Sequence, residues 1–466
     1  MKSNRRTFLK ISALTGVGLA GSRFVKAEAS ENIYENETLH QHFNMCGYGA
    51  PKLDTVRIGF IGLGNRGPSH VADMTRIEGV EVKALCDIRP EKTASVKKSL
   101  EGSTHNPEVY TGGANEWKKL CERPDIDLVY IATPWALHTP MAVYAMTNGK
   151  HACIEVPAAK TIDECWQLVE TSERTRKHCM ILENCCYDFF ELLTLNMVRQ
   201  GLLGEVVHGE GAYIHNLLAG NFSKEKYYDM WRLKENFRNG NLYPTHGLGP
   251  VAQVMNINRG AKMDYLTSTQ SKDFMMAKMA NQLAAKDDFY KPFAGKTYRG
   301  NMNTTTLYTD KGLTIKLQHD VTSPNIYSRI YKISGTKGSA LKYPLPGKLA
   351  FDGNENWLTE QAYSDLEIKY TPDIVTKVGE MAKRVGGHGG MDFLMNWRTI
   401  DCLRNGLPLD MDVYDAAAWS AIAPLSEWSV ANHSKPINMP DFTSGSWKTN
   451  QPVDNTLQKG GTTKVM

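Results

Sequence analysis

The run Val56-Arg57-Ile58-Gly59-Phe60-Ile61-Gly62-Leu63-Gly64-Asn65-Arg66-Gly67 constrains the fold more than any other stretch. An apolar strand enters a glycine fingerprint and a helical segment leaves it, which is how a βαβ unit opens. Gly62 permits the tight turn, Gly64 lets the backbone approach a pyrophosphate, and Gly67 lets the helix pack closely while its N-terminus faces the anion. Asn65 and Arg66 share the loop and join the expected cofactor-binding set. Asp87 closes the next apolar run 20 residues after Gly67, where a carboxylate takes ribose hydroxyls and repels a 2′-phosphate. NAD is therefore expected over NADP, with Arg89 keeping the phosphorylated form open.

The fingerprint is the first of a series. Apolar runs at 80–86, 128–133, 151–155 and 180–184 alternate with helix-length segments, a pattern that predicts a parallel sheet. The character changes after Gly204. Strand-like runs at 206–213, 304–308, 313–319, 328–334 and 338–343 are short and separated by turn residues, and helical periods return at 391–404 and 413–431. With 466 residues, two or three domains are expected. The predicted class is α/β: an N-terminal Rossmann dinucleotide-binding domain over 55–188, then an α+β substrate domain over 189–440 with a mixed, largely antiparallel sheet. An arm over 30–54 precedes them and a tail over 441–466 follows.

The chain begins with an export pattern. Asn4-Arg5-Arg6-Thr7-Phe8-Leu9-Lys10 precedes a mildly apolar run over 11–21 and small residues at Ala27 and Ala29, which reads as a twin-arginine signal peptide over 1–29. That run is shorter than the ~20 residues of a spanning helix, so no transmembrane span and a periplasmic location are expected. Cleavage would remove six basic residues and one acidic one, taking the formal charge from +4 to −1. A nucleic-acid partner is not expected, and a homo-oligomer stays open. The nine cysteines show no metal-ligand spacing. They read as structural thiols, with the adjacent Cys185 and Cys186 open to a redox reading, and no metal is expected.

After the fingerprint come "YIATPWALHTPMAVYAMTNGKHACIEVP" and "YPTHGLGP". Over roughly 56–343 the chain resembles the oxidoreductase family that includes glucose–fructose oxidoreductase and inositol dehydrogenase. The resemblance implies that Trp135, Ala136, Leu137 and His138 line the nicotinamide-ribose side of NAD and that Asn184 approaches the nicotinamide. Two departures stand out. The family's Glu-Lys-Pro is Glu155-Val156-Pro157 here, and its Asp-x-x-x-His is Leu242-Tyr243-Pro244-Thr245-His246. The lysine that polarises a substrate hydroxyl and the aspartate of an acid–base pair are both missing, so an ordinary polyol dehydrogenase would be poorly equipped.

The twin-arginine signal, "GLGNRG", "WALH", "EVP" and "LYPTHGLGP" together are similar to a narrower group, the NAD-dependent α-N-acetylgalactosaminidases of glycoside hydrolase family 109. That resemblance implies a small-molecule or glycan substrate ending in N-acetylgalactosamine, and chemistry in which a hydride leaves carbon 3 and later returns. No cofactor is consumed, so an exported enzyme could carry tightly held NAD with it. His246 is then the catalytic base and Tyr243 its helper. Tyr213, Arg232, Tyr243, Pro244, Thr245, His246 and Tyr327 are the implied sugar contacts, and Glu155 and Val156 lie near the nicotinamide. Read from the residues alone, His246 fits a packed core histidine, Arg232 a partner of Asp229, Glu155 a helix cap and His388 a loop residue. The rival functions are a sugar oxidoreductase, a non-catalytic sugar binder and a two-carboxylate glycosidase.

Overall fold

The computed structural model describes residues 41–466 apart from 354 and 455. The expected signal over 1–29 and the arm up to residue 40 lie outside the described residues. The first sheet contains β1 (Val56–Ile61), β2 (Val80–Asp87), β3 (Glu108–Thr111), β4 (Leu128–Ile131), β5 (His151–Ile154) and β6 (Cys179–Ile181). They run parallel in the order β3-β2-β1-β4-β5-β6. Helices cover both faces, which is why β4 and β5 are buried along their whole length and apolar apart from His151. β3 escaped the sequence pattern because it is a four-residue, half-exposed edge strand. Strand order reverses between β1 and β4, and the crevice at that switch point is where sheets of this kind bind ligands.

The second sheet contains β7 (Val206–Ile214), β8 (Met263–Gln270), β9 (Asn303–Thr309), β10 (Thr314–Asp320), β11 (Lys332–Gly335), β12 (Gly338–Leu341), β13 (Lys348–Phe351) and β14 (Ile437–Asn438). Its order is β13-β12-β11-β7-β10-β9-β8-β14. Only β7 and β10 pair in parallel, so the sheet is mixed and largely antiparallel. The run expected as one strand over 328–334 is broken. Ile330 and Tyr331 adopt φ of 60° and 42°, a left-handed kink that leaves Ser328 in an isolated bridge to Ile214 and starts β11 only at Lys332.

Residues 41–466 form one compact unit, because the C-terminal helices return to the first sheet. Helix Met391–Asn405 packs on helix Gly67–Met74, and helix Val413–Ala431 packs on both helix Ile162–Thr175 and β8. Trp397 and Trp419 are completely buried along these contacts. Asp412 and Asp415 cap the second helix reciprocally and both hold Arg259. In the segment expected as a tail, Val465 bridges back to Ile77 beside the first sheet. All nine cysteines are free. Burial pushes the Cys185 and Cys186 thiols far up, so both keep their protons.

Candidate active site

The glycine loop is shaped by contact with its own backbone. Gly62 has φ +92°, and a Cβ on Gly67 would lie 2.0 Å from the Gly62 carbonyl oxygen, so the helix can start against the turn only if both are glycine. At Gly64 a Cβ would meet only the Arg89 guanidinium, at 3.3 Å, which leaves its backbone bare toward the crevice. The Asp87 carboxylate accepts from the Leu63 N–H at 2.7 Å and from the Arg89 N–H at 2.9 Å. It therefore clamps the glycine loop as well, and keeps lone pairs for the ribose it was expected to bind. A cleft of about 730 Å³ opens along this loop, past Trp135, Leu137 and Val156, to Tyr213, Arg232, Tyr243 and His246. That volume lies within the usual range of ligand sites. The bare loop, the helix N-terminus and the carboxylate fit a dinucleotide.

Arg66 and Glu155, both expected near the cofactor, are tied to one another. The Arg66 Nε donates to Glu155 Oε1 at 2.8 Å, and its two Nη atoms donate to Asp392 at 2.9 and 3.0 Å. His70 Nε2 lies 3.0 Å from Glu155 Oε1, and Asn184 Nδ2 donates to Asp392 Oδ1 at 2.6 Å. Burial alone would raise both carboxyls, but Arg66 and the neighbouring histidines outweigh it and hold Glu155 and Asp392 well below the ordinary range. Glu155 is therefore an ionised partner of Arg66 rather than a helix cap. His388, in a run where Gly386, Gly387, Gly389 and Gly390 all take positive φ, reaches Asp392 with Nδ1 at 2.8 Å and lines the cleft.

At the end of the cleft away from the glycine loop, Gly211 of β7 and Gly247 meet backbone to backbone. A Cβ on Gly211 would lie 2.2 Å from the Gly247 carbonyl oxygen. This close approach brings helix Thr245–Val254 onto the sheet and sets His246 5.3 Å from the Tyr213 ring and 4.8 Å from Tyr243, centroid to centroid. Tyr243 stacks on Trp135 at 5.7 Å. The Arg232 guanidinium sits 5.3–5.5 Å over Trp135, Tyr227 and Tyr243, so it belongs to the aromatic wall, and Asp229 pairs instead with Lys234. Burial raises the Tyr213 and Tyr243 phenols, so both keep their protons.

The lost aspartate has a replacement from elsewhere in the chain. Glu183, fully buried just beyond β6, lies 2.8–2.9 Å from His246 Nδ1. Burial raises its pKa, but attraction and a hydrogen bond to His246 outweigh that, and the net shift is downward. Glu183, Cys185 and His246 bring their polar atoms within 4.8 Å of one another, a grouping that no spacing in the sequence announced. His215 is a further cleft residue that the sequence reading passed over.

Other expected contacts are tied up in the cleft wall or lie outside its lining. The ring nitrogens of His138 lie 2.7 Å from the carbonyls of Pro157 and Thr133, so it braces the wall of the cleft. Ala136 is exposed and outside the cleft lining, and Pro244 and Thr245 are spent on the helix start. Tyr327 is outside the cleft lining, edge-on to His215 at 5.1 Å.

A six-stranded dinucleotide-type sheet joined to a mixed second sheet defines an NAD-binding protein of the oxidoreductase type. Residues 56–183 match the family described as "oxidoreductase family, NAD-binding Rossmann fold". Solved structures share that fold: an NAD-binding oxidoreductase from Klebsiella pneumoniae (16% identity, TM-score 0.62) and levoglucosan dehydrogenase in complex with NADH (17%, 0.60), each covering 83% of this chain and 100% of its own. Residues 187–449 match "glycosyl hydrolase 109, C-terminal domain". A Bacteroides fragilis protein named alpha-N-acetylgalactosaminidase is 48% identical over 411 residues, 87% of this chain and 96% of that one. A glycosyl hydrolase family 109 protein of Shewanella pealeana is 45% identical over 463 residues, 97% and 99%. The chain belongs to glycoside hydrolase family 109 and is an NAD-dependent glycosidase.

Proposed function

We propose that the protein hydrolyses terminal α-N-acetylgalactosaminides by oxidation at carbon 3, elimination, addition of water and reduction. The observation that carries this reading is that two histidines, each held on a carboxylate, face the same cleft as the dinucleotide loop: His246 on Glu183 and His388 on Asp392. NAD, when bound, supplies the hydride acceptor and later the donor. His246 takes the carbon 3 hydroxyl proton, with Glu183 stabilising the imidazolium and the Tyr243 hydroxyl holding the oxygen. His388, its side chain 51% exposed, stands at the open side, where an aglycone must leave, and gives that oxygen its proton. Direct displacement by two carboxylates would need a free acid. Among the described residues of the cleft, Asp87, Glu155 and Asp229 are each paired with a cation.

The test is cleavage of a chromogenic α-N-acetylgalactosaminide in heavy water. Deuterium at carbon 2 of the released sugar is expected, with bound NAD oxidised at the end of each cycle. Cleavage without exchange, persisting after complete removal of NAD, would overturn the proposal.

The same reading places the enzyme outside the cytoplasm. It is supported by the Arg5-Arg6 pattern and by a reaction that consumes no cofactor. No helix among the described residues is long and apolar enough to cross a membrane. Replacing both arginines by lysine should leave the protein in the cytoplasmic fraction, and unchanged periplasmic recovery would refute a twin-arginine route.

A further inference from the structure

We infer that His215 is the base that removes the proton from carbon 2 of the sugar, an assignment that rests on the oxidation–elimination reading above. Once the carbon 3 ketone exists, a second proton must leave from carbon 2, and His246 already carries the hydroxyl proton. Another group has to accept it.

His215 follows β7 directly, and its backbone N–H donates to the Asp320 carbonyl at 2.9 Å. Its Nδ1 lies 3.1 Å from the Tyr213 hydroxyl oxygen. Nothing among the described residues hydrogen-bonds Nε2. Donation of Nδ1–H to the tyrosine oxygen leaves the Nε2 lone pair free in the cleft. The Tyr213 ring touches both imidazoles, His246 at 5.3 Å and His215 at 5.6 Å, so the two bases flank one aromatic surface as bases for adjacent carbons should. The alternatives are spent. Tyr213 and Tyr243 are neutral phenols, Asp87 and Glu155 are salt-bridged, and His388 sits on Asp392.

In this step the carbon 2–hydrogen bond breaks and its proton goes to Nε2. The electron pair forms the carbon 1–carbon 2 double bond, and the bond from carbon 1 to the aglycone oxygen breaks, that oxygen taking the His388 proton. In the return half, water bonds to carbon 1 and gives its proton to His388, while the π electrons close on carbon 2, which recovers the proton from His215. Burial, and then the nearby Arg232 and Lys226, lower the His215 pKa. The imidazolium formed here therefore gives its proton back readily.

The experiment uses NAD-loaded enzyme with an α-N-acetylgalactosaminide in heavy water, following bound-cofactor reduction by absorbance and carbon 2 exchange by mass spectrometry. His215→Ala and His215→Gln should still reduce the bound cofactor on mixing, which also reports an intact fold, while carbon 2 exchange and aglycone release fall ~10²–10⁴-fold. Exchange at the wild-type rate in either variant would overturn the assignment, as would variants that retain NAD yet fail to reduce it. A wild-type enzyme that neither reduces its cofactor nor exchanges would instead strike down the oxidation–elimination reading itself.

Discussion

His246→Ala is expected to lower turnover ~10²–10⁴-fold, while the purified variant should retain NAD. The two effects separate because His246 lies at the end of the cleft away from the glycine loop, on a helix start that contributes nothing to that loop. Its imidazole is held by Glu183 at 2.8 Å, so the carboxylate fixes the ring and favours the protonated form that follows abstraction. Glu183→Gln keeps the hydrogen bond and removes the charge. Its turnover should fall less than that of His246→Ala, with kcat reduced and KM little changed, because the ring stays oriented but the positive charge formed on proton abstraction has lost its counter-charge. A Glu183 with only a packing role would lower thermal stability without lowering kcat. Unchanged turnover in His246→Ala would assign the first proton transfer to another group.

How much of this was legible beforehand follows from sequence distance. The glycine loop, Asp87 and the parallel strands announce themselves because a turn, a following helix and doubly buried strands are local patterns. The parts that failed to show are long-range pairs. Glu183 and His246 are 63 residues apart, and Arg66 and Asp392 are 326 apart. The missing aspartate before His246 therefore looked like a lost partner, when the fold supplies a carboxylate from the tip of β6. His388 hid for another reason: a glycine-rich run reads as flexible, whereas here four positive-φ glycines let the chain bend until an imidazole meets Asp392. The return of the C-terminal helices to the first sheet is likewise invisible in periodicity, which shows that a helix has an apolar face without showing what covers it.

The largest stability effect is expected at Arg66. Arg66→Ala leaves Asp392, whose side chain is completely buried, and Glu155, whose side chain is 10% exposed, without the cation between them. Breaking a buried pair from one side costs about 3–5 kcal/mol, which thermal or denaturant unfolding will register. The pH dependence distinguishes this cause from lost packing. In the native protein both carboxyls are held below their ordinary pKa, so their stabilisation is complete above the unfolded value of roughly 4 and is lost only as pH falls through the lower folded values. Without Arg66 burial dominates, the folded pKa values rise above the unfolded ones, and the folded state binds more protons. The deficit of Arg66→Ala should accordingly be greatest at pH 8 and shrink as the pH falls. Arg66→Ala combined with Asp392→Asn should recover part of the loss, because the most deeply buried charge is gone. A deficit independent of pH, with no recovery in the double variant, would mean that Arg66 acts through packing and that the Glu155–Arg66–Asp392 chain does not hold the cofactor loop to the C-terminal helix.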